Sequence, residues 1–289
     1  MKLAVPSSQF YQSAIWAILT AISFAVMVTA VRYMDGKFDA FQIVFFRAVV
    51  GLFMIVPMVF RFGMGTLRTT KMPLHILRTL CGLLAMAALY YAVAVKPLAE
   101  VISLTFLIPI FVTIASSVVL REVVGLHRWM ATAIGFTGAL IIIRPGFVEF
   151  DIPIFLVLLS SALYAGAWSC VKVLTRTDQA SVTIFWMNFL MLPLTLIPLI
   201  FLWTTPSWDD FIPILVMALF GWFAHFCQAR AFEKADASAV MPFDFLRLPV
   251  AALFGYFLFS ETLDPLSWVG AIIIFIASYY TVRREKLNA

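Results

Sequence analysis

Among the ionisable residues of this 289-residue sequence that stand inside long apolar stretches are Arg47, His225, Asp244 and Arg247. A charge near the middle of a bilayer costs about 2.5–3.5 kcal/mol on insertion scales, so such residues generally face a cavity or a partner. Arg47 is suited to clamp a carboxylate, phosphate or carbonyl group. The competing reading is that its long stem snorkels to the headgroups, since it lies about seven residues, roughly 10 Å of helix, from the end of its run. Asp244 and Arg247 are three residues apart on one helix face, so they suit a ligand site or simply neutralise each other. His225 stands among aromatics, where packing is the plain explanation, but imidazole changes charge near neutral pH and is a coupling candidate. Glu100 is the second coupling candidate, although an acid at a helix start is also favoured by the dipole alone. Tyr90, Tyr91 and Trp168 are aromatics placed to stack on a flat ligand or hold a cation, as are Tyr164, Trp186 and Trp222. With Asn188, whose position is explained by a repeat below, Arg47, Tyr90, Tyr91, Trp168, His225, Asp244 and Arg247 make up the expected substrate-binding set.

The elements that carry these residues follow from composition. Hydrophobic residues make up 63% of the chain and charged residues 12%, against roughly 45–50% and about 25% in soluble domains. A soluble globular protein is excluded. Apolar runs fall at 13–32, 40–60, 74–95, 98–120, 129–143, 152–174, 182–203, 211–232, 237–259 and 266–282, each near the ~20 residues that a spanning helix needs. The expected fold is therefore an all-α integral membrane protein with ten transmembrane helices. The first run has polar residues before it and lacks a clean small-residue cleavage site, which reads as a retained span. If the amino terminus is cytoplasmic, the inside loops and tails hold fourteen of the 20 Lys and Arg residues and the outside loops four. That asymmetry places both termini inside. Cys81, Cys170 and Cys227 all lie in apolar runs, where small-hydrophobe packing is the favoured reading.

The second half of the sequence echoes the first at a nearly constant offset of 139 to 141. Val101, Phe106, Leu107, Glu122, Trp129 and Arg144 meet Val240, Phe245, Leu246, Glu261, Trp268 and Arg283. Ile43, Pro57 and Phe60 meet Ile184, Pro198 and Phe201, which sets Arg47 opposite Asn188. Five spans per copy is an odd number, so the second copy enters the membrane upside down. The reading is an inverted five-plus-five repeat, 1–146 and 147–289, able to alternate between inward- and outward-open forms around a midplane site. Pro109 and the Pro242–Pro249 bracket around Asp244 and Arg247 mark the fourth and ninth runs as candidates for broken helices, and Glu122 and Glu261 read as interfacial residues at matching span ends.

No enzyme motif is present: no phosphate-binding Gly-rich loop, no His-Glu-x-x-His and no Cys-x-x-Cys. Neither a cofactor nor a metal is expected. The basic residues orient the chain in a bilayer, so nucleic acid is not an expected partner.

Particular residues carry a family resemblance. Arg78-Thr79-Leu80-Cys81-Gly82-Leu83-Leu84-Ala85-Met86, Tyr90-Tyr91-Ala92, Pro97-Leu98-Ala99-Glu100-Val101, Pro109, Arg121-Glu122, Trp129 and Arg144-Pro145-Gly146 resemble an EamA-type domain of the drug/metabolite transporter superfamily. Ala237-Ser238-Ala239-Val240, Pro249, Glu261 and Trp268 resemble a more diverged second copy. Within the superfamily, 77–146 looks most like transporters of S-adenosylmethionine, riboflavin and related metabolites. The resemblance implies ten spans and secondary transport of a small organic solute across the inner membrane. The expected function is uptake of a vitamin-like or nucleoside-like solute; efflux of amino acids or their derivatives, and a non-transporting membrane scaffold, are the alternatives. The expected partners are the solute and the lipid bilayer, with a homodimer left open.

Overall fold

The computed structural model describes residues 7–34, 36–95, 104–105, 107–143, 151–259 and 265–288. All regular secondary structure among them is helical. The helices are α1 (Ser7–Tyr33), α2 (Ala40–Phe62), α3 (Met72–Val95), α4 (Leu107–Val118), α5 (Leu126–Ile143), α6 (Ile152–Leu174), α7 (Ala180–Leu202) and α8 (Phe211–Lys234). The ninth run folds as a four-residue helical turn, Ala237–Val240, then a 3-10 segment, Met241–Leu246, and then α9 (Arg247–Phe259); α10 (Pro265–Asn288) follows.

Local chemistry sets several of these boundaries. Asp151 caps α6 by accepting a hydrogen bond from the Ile154 backbone N–H, with a proline in the first turn where its missing N–H costs nothing. Ser207 and Asp210 form a reciprocal capping box just before α8. Pro57 lies inside α2 and Pro193 and Pro198 inside α7, positions that free backbone carbonyls and invite bending.

Seven helical stretches among the described residues are long and apolar enough to cross a membrane: those of the first, second, third, sixth, seventh, eighth and ninth runs. The fourth run is partly outside the described residues, and the tenth gives only a shorter apolar stretch, Trp268–Ala277. Their polarity is inverted relative to a soluble protein. Phe60, Ile200, Phe201 and Phe257 stand more than three-quarters exposed, whereas Arg47, Arg78, Asn188 and Thr195 are buried. Such an arrangement suits a hydrocarbon solvent, where polar groups must find partners within the protein. The chain is a multi-pass membrane protein.

The main packing partners cross between the halves of the chain: α1 on α8, α3 on α6, α2 on α7 and α5 on α10. If each helix of one half is exchanged for its counterpart in the other, the first two pairs swap and the last two map onto themselves. The pairing is unchanged by the exchange.

Candidate substrate site

A narrow cavity of about 50 Å³ lies between α1, α3, α6 and the ninth run. Its wall includes Phe24, Tyr90, Tyr164, Trp168, Asp244 and Arg247. The 3-10 segment supplies Asp244 and passes directly into α9 at Arg247. The narrower winding of that segment begins one residue before Pro242 and ends three residues before Pro249, in the stretch where the sequence marks the ninth run as breakable. The corresponding part of the fourth run lies partly outside the described residues.

Asp244 and Arg247 form an ion pair at 3.3 Å. Arg247 also donates to Thr105 Oγ1 at 3.3 Å and lies 5.9 Å from the centre of the Phe24 ring. The pair therefore faces the cavity already neutralised. Phe24, Trp168 and His225 form an aromatic block behind it: Phe24 meets His225 edge-on at 5.3 Å, and Trp168 lies against His225 at 5.1 Å.

Arg47 does not snorkel. It is 1% exposed, its Nη1 lies 3.1 Å from His225 Nε2, and its Nη2 points at the Met191 sulfur at 3.6 Å. A guanidinium can only donate, so Nε2 accepts and the imidazole proton belongs on Nδ1. His225 is thus held as a neutral ring in this conformation. Beside it a small void of about 10 Å³ is lined by Arg78, Gly82, Met86, Tyr164, Trp168 and His225. Tyr164 and Trp168 belong to the walls of both chambers.

Two expected residues lie elsewhere. Tyr91 is 50% exposed, because the next residue along a helix turns about 100° away and Tyr90 takes the inward position. Asn188 is buried, but its Nδ2 donates to the Ile184 carbonyl and its amide packs on Gly51, at the contact of α7 with α2. Glu100 and Glu261 lie outside the described residues. Sequence reasoning passed over Arg78, counted as a loop charge, together with Gln228 and Thr105. Arg78 lies seven residues beyond Lys71 and about one helical turn inside the apolar run 74–95, and that depth was the available signal.

The face of the bundle where α1 begins is tied across the halves. The Glu122 carboxylate accepts from the backbone N–H groups of Ala237 and Ser238 and from the Ser238 hydroxyl. Arg128 pairs with Asp236 at 3.1 Å. Asp178, in the turn between α6 and α7, accepts from Thr69 Oγ1 at 2.6 Å and from His75 Nε2 at 2.8 Å. Lys172 donates to the carbonyls of Phe232 and Ala235 at the same face. On the opposite face the side-chain links from the first half to the second include Lys37 with Asp210 and Gln42 with Thr204.

The model of the EamA-like transporter family matches the chain twice, over residues 12–144 and 151–283. The chain belongs to the EamA-like transporter family. It is similar to the S-adenosylmethionine uptake transporter of Rickettsia prowazekii, at 26% identity over 94% of this chain and 92% of the relative. It is also similar to the riboflavin transporter of Brucella anthropi, at 31% identity over 84% and 88%. A solved crystal structure superposes with a TM-score of 0.77 at 15% identity, over 96% of this chain and 98% of that one, a likeness of fold alone. The protein is a transporter, not an enzyme.

Proposed function

We propose that this protein is a secondary transporter of a small organic metabolite in the inner membrane, working by alternating access between two inverted five-helix halves, 1–146 and 147–289. The observation that carries the reading is the aromatic cavity with its Asp244–Arg247 pair, set behind a face tied shut by Glu122, Arg128 and Asp178. A helix pairing that survives exchange of the halves is what two interconvertible halves require. With both termini cytoplasmic, the tied face is the cytoplasmic one. This conformation is then closed toward the cytoplasm. Trp168, Tyr90, Asp244 and Arg247 form the wall against which the solute lies, and Arg47 and His225 stand behind it.

The similar transporters named for S-adenosylmethionine and riboflavin favour uptake of a vitamin-like or nucleoside-like solute. Purified protein in liposomes is expected to accumulate radiolabelled riboflavin or S-adenosylmethionine without ATP, driven by a pH gradient or a membrane potential. No movement of either, nor of a panel of vitamins, nucleosides and amino acids under both gradients, would overturn the reading. Direction is decided in a strain auxotrophic for the transported vitamin. Rescue at low external concentration supports uptake; resistance to toxic analogues without rescue supports efflux.

A further inference from the structure

Behind the wall of the main cavity the bundle holds two guanidinium groups, those of Arg47 and Arg78, that have no ion pair among the described residues. Arg78 is 2% exposed, and its Nε and Nη1 have no hydrogen-bond partner among the described residues. The ionisable groups near it include Arg47, Cys170 and Tyr164. Arg47 spends its two terminal nitrogens on His225 and Met191, and its Nε has no partner either. Other unpartnered groups among the described residues include His225 Nδ1, the Tyr90 hydroxyl and Gln228 Nε2. With Nε2 of His225 occupied as an acceptor, Nδ1 carries its proton.

The inventory is lopsided. Every one of these groups can donate a hydrogen bond, and two of the residues carry fixed positive charge. A buried charge without a counter-ion is among the costliest arrangements in a fold, and an unsatisfied buried donor carries its own desolvation penalty. Packing alone would be served by Met or Leu. What the arrangement lacks is negative charge and acceptor oxygens in a planar or tetrahedral group, which is what guanidinium pairs recognise best.

We propose that Arg47 and Arg78 together form an anion site for a carboxylate or phosphate group of the transported solute, whose remaining body lies against Tyr164 and Trp168. The proposal rests on the transporter reading and narrows it to solutes that carry an anionic group. Tyr164 and Trp168 line both chambers, so a solute stacked on them in the main cavity is already at the edge of the niche holding Arg78. The Asp244–Arg247 pair on the cavity side is self-neutralised and does not compete for the anion.

The test uses full-length protein in detergent, with thermal stability and equilibrium binding as readouts. Inorganic phosphate and acetate are the minimal probes, at fixed ionic strength. Riboflavin against riboflavin 5′-phosphate, and S-adenosylmethionine against its decarboxylated form, are matched pairs that differ in the anionic group. Phosphate or acetate is expected to raise the melting temperature, and the anionic member of at least one pair to bind at least tenfold more tightly than its partner; the successful pair tells phosphate from carboxylate. Arg78→Met is expected to abolish both effects without lowering the melting temperature of the ligand-free protein, because it removes an uncompensated charge. Arg78→Lys, which keeps the charge but loses the fork, is expected to weaken anion binding at least tenfold and serves if the Met variant does not fold. No stabilisation by phosphate or acetate, equal binding within both pairs, or an anion effect that survives the Arg78 substitutions would overturn the site. Uptake of a neutral solute into liposomes with no anion effect would remove this proposal and leave the transporter standing; anion binding without any transport would do the reverse.

Discussion

Arg47 reaches the centre of the bundle because Gly221 on α8 leaves room for it. A Cβ at that position would lie 2.8 Å from Arg47 Cδ and 3.1 Å from the Met27 sulfur, and either neighbour would have to shift. In an exposed helix, Gly→Ala gains about 1 kcal/mol of helix propensity. Gly221→Ala is therefore expected to leave thermal stability within a few degrees of the parent while reducing solute uptake at least tenfold, read by circular dichroism melting alongside liposome transport; unchanged uptake would show that Arg47 does not need its present place. Single residues were also where the sequence was least legible. Nothing in a pair of tyrosines says which one faces inward, and only the rotation of α3 separates buried Tyr90 from exposed Tyr91. Arg78 looked like one more basic residue beside Lys71, since a sequence shows where a run of apolar residues begins but not how deep the helix sits.

Among the elements, the turn between α6 and α7 carries the clearest electrostatic consequence. Burial pushes the Asp178 carboxyl up, but hydrogen bonds from Thr69, His75 and Thr177 outweigh it and hold the group below the ordinary carboxylate value. A depressed pKa stabilises the fold above the unfolded value of about 3.9, and that contribution is lost as pH falls through the folded value. Asp178→Asn is expected to lower stability at pH 7 by about 1–2 kcal/mol, in the range of a hydrogen bond to a charged group. Melting curves of parent and variant should converge in acid below the ordinary carboxylate range; a gap that persists there would show that the carboxylate charge is not what holds the turn. The ninth run shows what was readable at this scale. Pro242 and Pro249 marked it for interruption, and it contains a 3-10 segment between a helical turn and α9. Which residues seal the face beneath it was not readable, because Glu122 meets Ser238 across 115 or more intervening positions.

For the whole molecule, composition alone was enough to choose lipid over water as the solvent, and loop charges were enough to propose an orientation. That orientation has a direct check. In a background lacking Cys81, Cys170 and Cys227, a single cysteine at either terminus is expected to react with a membrane-impermeant maleimide only after the cells are opened, whereas Lys37→Cys reacts in intact cells. Reaction of the termini in intact cells would invert the proposed topology and with it the side toward which this conformation is closed.

The pairing of α2 with α7 maps onto itself when the halves are exchanged, so on the inverted-repeat reading the dyad passes between these two helices. Arg47 and Asn188 are then mirror positions, one bearing a fixed charge and the other a neutral amide. A carrier with identical halves would rest equally on either side of the membrane. Here the helix pairing is symmetric while the charges at its centre are not, so on that reading the empty carrier favours one side of the membrane.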